Sequence, residues 1–148
     1  MRIYKYKKNL PKRILATIID YLIIFLITYA YIEIFGEINS EGVKAVYNLS
    51  ALPIIIVWFL YIVVIEAIYG ATLAHQALNL KVLTSKGHEI DFGNVLKRRL
   101  LDPIDLIFLL GLPAFIFVST TERHQRLGDL WSDNVIVDIT DLEQYCES

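Results

Sequence analysis

Cysteine is nearly absent from these 148 residues: Cys146 stands alone near the C-terminus. A single thiol excludes a disulfide framework, a CxxC redox pair and a thiolate metal cluster. Charge is also scarce, at 20% of residues, with a formal net charge of −2 and a pI near 5.9. The electrostatic footprint of a nucleic-acid binder is therefore missing, and no nucleic-acid partner is expected. His75, His88 and His124 are scattered, and no HExxH is present, so no metal site is expected and the three read as surface histidines. Walker A, GxGxxG and GxSxG patterns are missing too, which removes nucleotide-driven pumping, cofactor binding and serine hydrolysis by their usual signatures. Leu127-Gly128-Asp129 is similar to a motif of intramembrane aspartic proteases, but no Tyr-Asp pair on an earlier helix accompanies it. With no catalytic constellation, the chain is not expected to be an enzyme.

What the chain does have is oil. Hydrophobic residues make up 55% and the mean hydropathy is +0.50, far above an ordinary soluble domain. The length suits one unit rather than two. A membrane helix needs roughly 20 apolar residues to cross about 30 Å of hydrocarbon. Two stretches meet that requirement, placed at 11–35 and 49–69. Asp20 and Glu33 lie near the ends of the first, and Glu66 closes the second. A dozen apolar residues at about −0.3 to −0.6 kcal/mol each outweigh one displaced acid at roughly +2.5 to +3.5. A chain this short also has too little other sequence to wrap two helices that are hydrophobic all round. The lipid bilayer is the expected partner.

Arg2, Lys5, Lys7, Lys8, Lys12 and Arg13 precede the first stretch without an acid among them. Its apolar part is too long for a signal peptide, and basic flanks stay in the cytoplasm, so a cytoplasmic N-terminus is expected. The loop after it carries Glu37 and Glu41 against Lys44, and the chain returns to a basic side at Lys97-Arg98-Arg99. A third stretch, from Leu106 to Thr121, is shorter and broken by Gly111 and Pro113. A re-entrant form keeps Arg123, His124 and Arg126 inside, with the C-terminus also cytoplasmic. Lys81–Thr84 and His88–Phe92 read as the arms of a β-hairpin within 80–92, and 134–139 reads as a third strand. The segment 94–121 reads as an amphipathic helix followed by the third apolar stretch. Its Lys97, Arg98 and Arg99 suit anionic headgroups. The fold class expected is an all-α polytopic membrane protein of two full spans, a broken or re-entrant third segment and a small cytoplasmic β-element.

The ionisable residues beside the apolar stretches are the candidate site: Arg13, Asp20, Glu66, Asp102, Arg126 and Asp129. Arg13 and Asp20 are seven residues apart on one helix face and read as partners. Asp102-Pro103 also suits a helix start. Two readings stay open: a proton- or cation-coordinating cluster, or a set of ion pairs and caps holding the rim together.

In this order the residues resemble the RDD family of small integral-membrane proteins, over about Pro11 to Val137. Arg13-x-x-Ala16-x-x-Ile19-Asp20 resembles its first-helix signature. Glu66 with Ala71-Thr72-Leu73 and Leu80-Lys81-Val82 resembles the segment after the second helix, and Lys86-Gly87, Phe92-Gly93 and Arg98/Arg99 continue it. Arg126-Leu127-Gly128-Asp129 with Val135-Ile136-Val137 resembles the C-terminal motif, giving Asp129 as the second aspartate and Asp102 as the alternative. The chain departs from the family at Ala74-His75, Asn79 and Ser132-Asp133-Asn134, where Gly-Lys, Gly and Ala-Gly-Thr are usual. The resemblance implies a polytopic membrane protein, often described as a transporter with cation/proton exchange among its suggested activities, and no enzyme reaction. The function expected is ion-coupled transport by a homo-oligomer in the cell membrane. The alternative is an assembly or regulatory subunit bound to another membrane protein.

Overall fold

The computed structural model describes residues 9–103, 112–122 and 124–140. It is mostly helical, and two of its helices are long and apolar enough to cross a membrane. Helix α1 spans Leu10–Phe35, with Pro11 in its first turn, where the missing N–H is no loss. The second apolar helix, Asn48–Tyr69, has an internal change of winding. A 3-10 turn (Asn48–Ala51) leads into α2 (Leu52–Trp58), a π-helical stretch (Phe59–Val64) follows, and α3 (Ile65–Tyr69) ends it. Only 17% of the most apolar window of each long helix is buried, the opposite of a core helix in a soluble protein.

The long helices are joined at one end by a small ribbon, β1 (Glu37–Ile38) paired with β2 (Lys44–Ala45). Tyr31 donates to the Ser50 carbonyl there, and Lys44 pairs with Glu33 at 2.8 Å. Nothing in the sequence pattern announces this ribbon.

At the other end, Gly70 stops α3 at φ +73°, and its N–H closes on the Glu66 carbonyl. A side chain at that position would also meet Lys81, whose Cε lies 2.9 Å from an ideal Cβ. The turn delivers the short α4 (Leu73–Ala77) beneath α1, and β3 (Leu80–Thr84) follows. The partner of β3 is β4 (Asn134–Asp138), antiparallel, in register from Leu80 opposite Asp138 to Thr84 opposite Asn134. The expected hairpin is thus corrected: His88–Phe92 contributes one bridge, Glu89 to Leu83, and no strand. Asp91 instead caps α5 (Phe92–Leu100), accepting from the Asn94 N–H at 2.7 Å, so the chain bends into a helix before a second arm can form.

Of the third apolar stretch, α6 (Leu112–Thr120) is described, a helix of 9 residues and so about 14 Å long. Leu106–Gly111, including the glycine of the expected turn, and Arg123 and Cys146 lie outside the described residues. Helix α7 (Leu127–Trp131) then leads to β4. One apolar cluster, including Ala16, Ile62, Leu80, Val82, Val95 and Ile136, joins α1, the second long helix, β3, α5 and β4. Lys12 also pairs with Asp138, tying β4 to the start of α1.

Candidate functional site: two sets of buried charge

Helix α1 buries Arg13, Ala16, Asp20 and Ile24, spaced at three or four residues, so one face turns inward along its first four turns. Two of those four residues are charged, and each faces a different group of partners.

Arg13 reaches Asp129 Oδ2 with Nη2 at 3.0 Å and donates from Nη1 to the His124 carbonyl. Asp129 lies in α7, where its carboxylate also accepts from the Arg126 N–H at 3.2 Å. From its Oδ1 the charges alternate around a closed circuit. Arg98 Nε donates to Asp129 Oδ1 at 2.6 Å, and Arg98 Nη1 donates to Glu66 Oε1. Arg99 bridges the other Glu66 oxygen to Asp102 Oδ2, the latter at 3.0 Å. Arg126 then pairs with Asp102 Oδ1 at 2.8 Å and with Asp129 Oδ1 at 3.6 Å, completing a ring of three acids and three arginines. Tyr21 donates to Asp102 Oδ2 from α1 at 3.2 Å. Every member is buried, with Glu66 and Asp129 at 0% exposure and Arg13 at 7%.

The electrostatics of this ring are decided by number. Burial pushes the carboxyls of Asp129 and Asp102 up, but the guanidinium groups around them win. Arg98, Arg126 and Arg13 hold Asp129 well below the usual carboxylate range, and Arg126 and Arg99 do the same for Asp102. Burial lowers the pKa of Arg98, against the pull of Asp129. The arginines thus hold Asp129 and Asp102 ionised at neutral pH.

Asp20 stands outside it. Its Oδ1 accepts from the Tyr61 hydroxyl at 2.9 Å and from the Ala74 N–H at 3.2 Å. Its Oδ2 accepts from the Thr72 hydroxyl and lies 3.0 Å from His75 Nδ1. Tyr61 comes from the π-helical stretch, and the other three donors come from the Gly70 turn and α4. Asp20 is 2% exposed and His75 5%. Burial is the largest influence on the imidazole and lowers its pKa, outweighing the neighbouring Asp20 carboxylate.

Of the six residues picked from the sequence, Arg13, Glu66, Asp102, Arg126 and Asp129 are brought together, while Asp20 is placed apart with its own partners. The expected Arg13–Asp20 pair does not form. Seven residues put the two on one face but about 10 Å apart along the axis, beyond direct contact. His75 is buried rather than on the surface, because the Gly70 turn folds α4 under α1. Arg98 and Arg99, which by sequence suit lipid headgroups, face the protein interior, and only Lys97 of that trio is exposed. The missed signal was a charge count: the acids expected at this rim outnumbered the two arginines assigned to them. Thr72 enters the sequence reading only within the Ala71-Thr72-Leu73 resemblance, and nothing local marks Tyr61 as a partner of Asp20. Among the described residues, no group of three or more His, Cys, Asp or Glu is arranged to hold a metal ion.

Two long apolar helices, with their ionisable residues gathered and buried at one end, define a membrane-associated helical protein. A family model described as the RDD family matches residues 8–133, and the chain belongs to that family. No curated protein and no solved structure matches it.

Proposed function

We propose that this RDD family protein is a small proton-coupled cation transporter that works as an oligomer, with Asp20 as the carboxylate that exchanges its proton. One observation carries the reading. Asp20 is buried in a helix apolar enough to cross a membrane, and among the described residues it is held by two hydroxyls, one amide and one imidazole, with no arginine or lysine against it. Ionisable residues within membrane spans concentrate on ion and proton pathways. A carboxylate held by neutral donors has no fixed counter-charge left unpaired when it takes up a proton, unlike one clamped by guanidinium groups. In this reading the arginine–carboxylate ring is the fixed scaffold, and no enzymatic reaction is assigned. Two full spans and a re-entrant third segment enclose no path alone, so several copies line it. Both termini lie in the cytoplasm, as the basic N-terminal run favours.

The test is cation-driven proton flux into liposomes holding the purified protein. Wild type is expected to carry flux, and Asp20→Asn to carry none while keeping its fold and oligomeric size. Equal flux from the variant overturns the reading. Impermeant maleimide on intact cells is expected to leave Cys146 unlabelled, and labelling from outside would move the C-terminus across the membrane.

The largely uncovered apolar surface of both long helices favours a second reading, an assembly subunit for another membrane protein. Mild-detergent extraction would then recover a stoichiometric membrane partner, and Asp20→Asn would lower stability with no flux to lose.

A further inference from the structure

The donors around Asp20 differ in what they can give up. The Ala74 amide and the Thr72 hydroxyl hold their protons at any accessible pH, and a tyrosine hydroxyl such as that of Tyr61 ordinarily releases its own only near pH 10. An imidazole alone changes charge between about pH 5 and 8. His75 is also placed differently from Tyr61: it lies in α4, past the Tyr69 end of the second long helix.

The hydrogen bonds fix which nitrogen carries the proton. Thr72 Oγ1 donates to Asp20 Oδ2, and His75 Nδ1 faces both of these oxygens, at 2.8 Å and 3.0 Å. Two acceptor lone pairs on Nδ1 and the carboxylate would repel, so the neutral ring carries its hydrogen on Nδ1. Nε2 then holds the free lone pair, and it has no hydrogen-bond partner among the described residues. The charged groups facing the ring are Asp20 from α1, Arg98 from α5 and Arg126 ahead of α7. Burial, with the two guanidinium groups, outweighs Asp20 and keeps the ring neutral at neutral pH.

Resting on the reading of Asp20 as the coupling carboxylate, we infer that His75 is the relay through which Asp20 gains and loses its proton. A proton from water adds to Nε2 while the Nδ1–H bond breaks and that proton moves to Asp20 Oδ2. The ring ends neutral with its hydrogen on Nε2, and the carboxylate ends as a neutral acid. In the return, the Asp20 proton passes to Nδ1 as the Nε2 proton leaves to water, which restores the first tautomer. One proton enters for each negative charge neutralised.

The test follows the Asp20 carboxyl stretch by time-resolved infrared spectroscopy after a pH drop from about 7 to about 3, below the ordinary carboxyl range, the band being assigned by its loss in Asp20→Asn. His75→Asn keeps an N–H near the place of Nδ1 but has no second nitrogen to receive a proton. It is expected to slow the rise of the band by about tenfold or more while leaving its final amplitude unchanged. His75→Ala is expected to be slow as well and to recover when imidazole is added. A wild-type rate in His75→Asn, or a slow His75→Ala that imidazole does not rescue, overturns the relay and leaves Asp20 as the coupling carboxylate standing. A wild type that shows no such band overturns both.

Discussion

The ring and the Asp20 group lie side by side at one end of the molecule, are buried to a similar depth, and are built on opposite rules. In the ring each carboxylate is held by two or three arginines, which at Asp102 and Asp129 outweigh desolvation and keep the acid ionised. Around Asp20 the partners are hydroxyls, an amide and a ring that can itself titrate. Burial by itself therefore says little about an acid's setting: the identity of its neighbours separates a carboxylate fully matched by cations from one held by neutral donors.

Breaking the ring tests the first half of this contrast. Arg98→Met leaves the buried Glu66 and Asp129 each short of a partner, and is expected to lower stability by about 3–5 kcal/mol in thermal unfolding of the detergent-solubilised protein. A loss below about 1 kcal/mol would mean that the remaining arginines suffice and that the ring is not a unit.

Asp20→Asn is the matching change on the other side. The amide keeps the shape and some of the hydrogen bonds, so the expected loss is about 1–2 kcal/mol, smaller than for Arg98→Met. An equal or larger loss would erase the distinction in stability between the two groups.

Acid titration separates them by pH. The folded pKa of His75 lies below its ordinary 6.5, so the stability it contributes is complete above that value and drains away as the pH falls through it. Asp102 and Asp129 lie below 3.8 when folded, so their contribution survives until the pH drops under that figure. Unfolding free energy is expected to decline in two windows, the upper one with a slope of at most about 1.4 kcal/mol per pH unit and absent in His75→Asn. A single decline confined to the lower window would show that His75 does not titrate with folding.

The smallest effect is expected at the exposed Lys81–Glu89 pair, 2.9 Å apart with Glu89 83% exposed. Glu89→Gln is expected to leave the melting temperature unchanged, since two solvated side chains gain little by meeting. A clear drop would show that the turn after β3 depends on that contact.

Much of this was legible in the chain. The two long helices follow from apolar runs whose length matches a bilayer, and observed bounds of Leu10–Phe35 and Asn48–Tyr69 fall within a residue of the runs at 11–35 and 49–69. The strand at Asn134–Asp138 follows from its run of β-branched residues, although the second hairpin arm expected beside Lys81–Thr84 does not form. Five of the six candidate charges meet because each flanks an apolar segment at the same end. What escaped was pairing. Arg98 and Arg99 share an amphipathic pattern with a headgroup-binding helix, and only the position of Glu66, Asp102 and Asp129 beside α5 turns them inward.

Local composition and spacing thus determined the solvent, the number of long helices, the family and the set of ionisable residues, because each of these depends on properties that residues carry wherever they lie. Which cation meets which anion was settled by the fold alone. A Coulomb contact depends on a few ångströms between groups as far apart in sequence as Arg13 and Asp129, and those distances exist only after the Gly70 turn, α5 and α7 have closed around the start of α1.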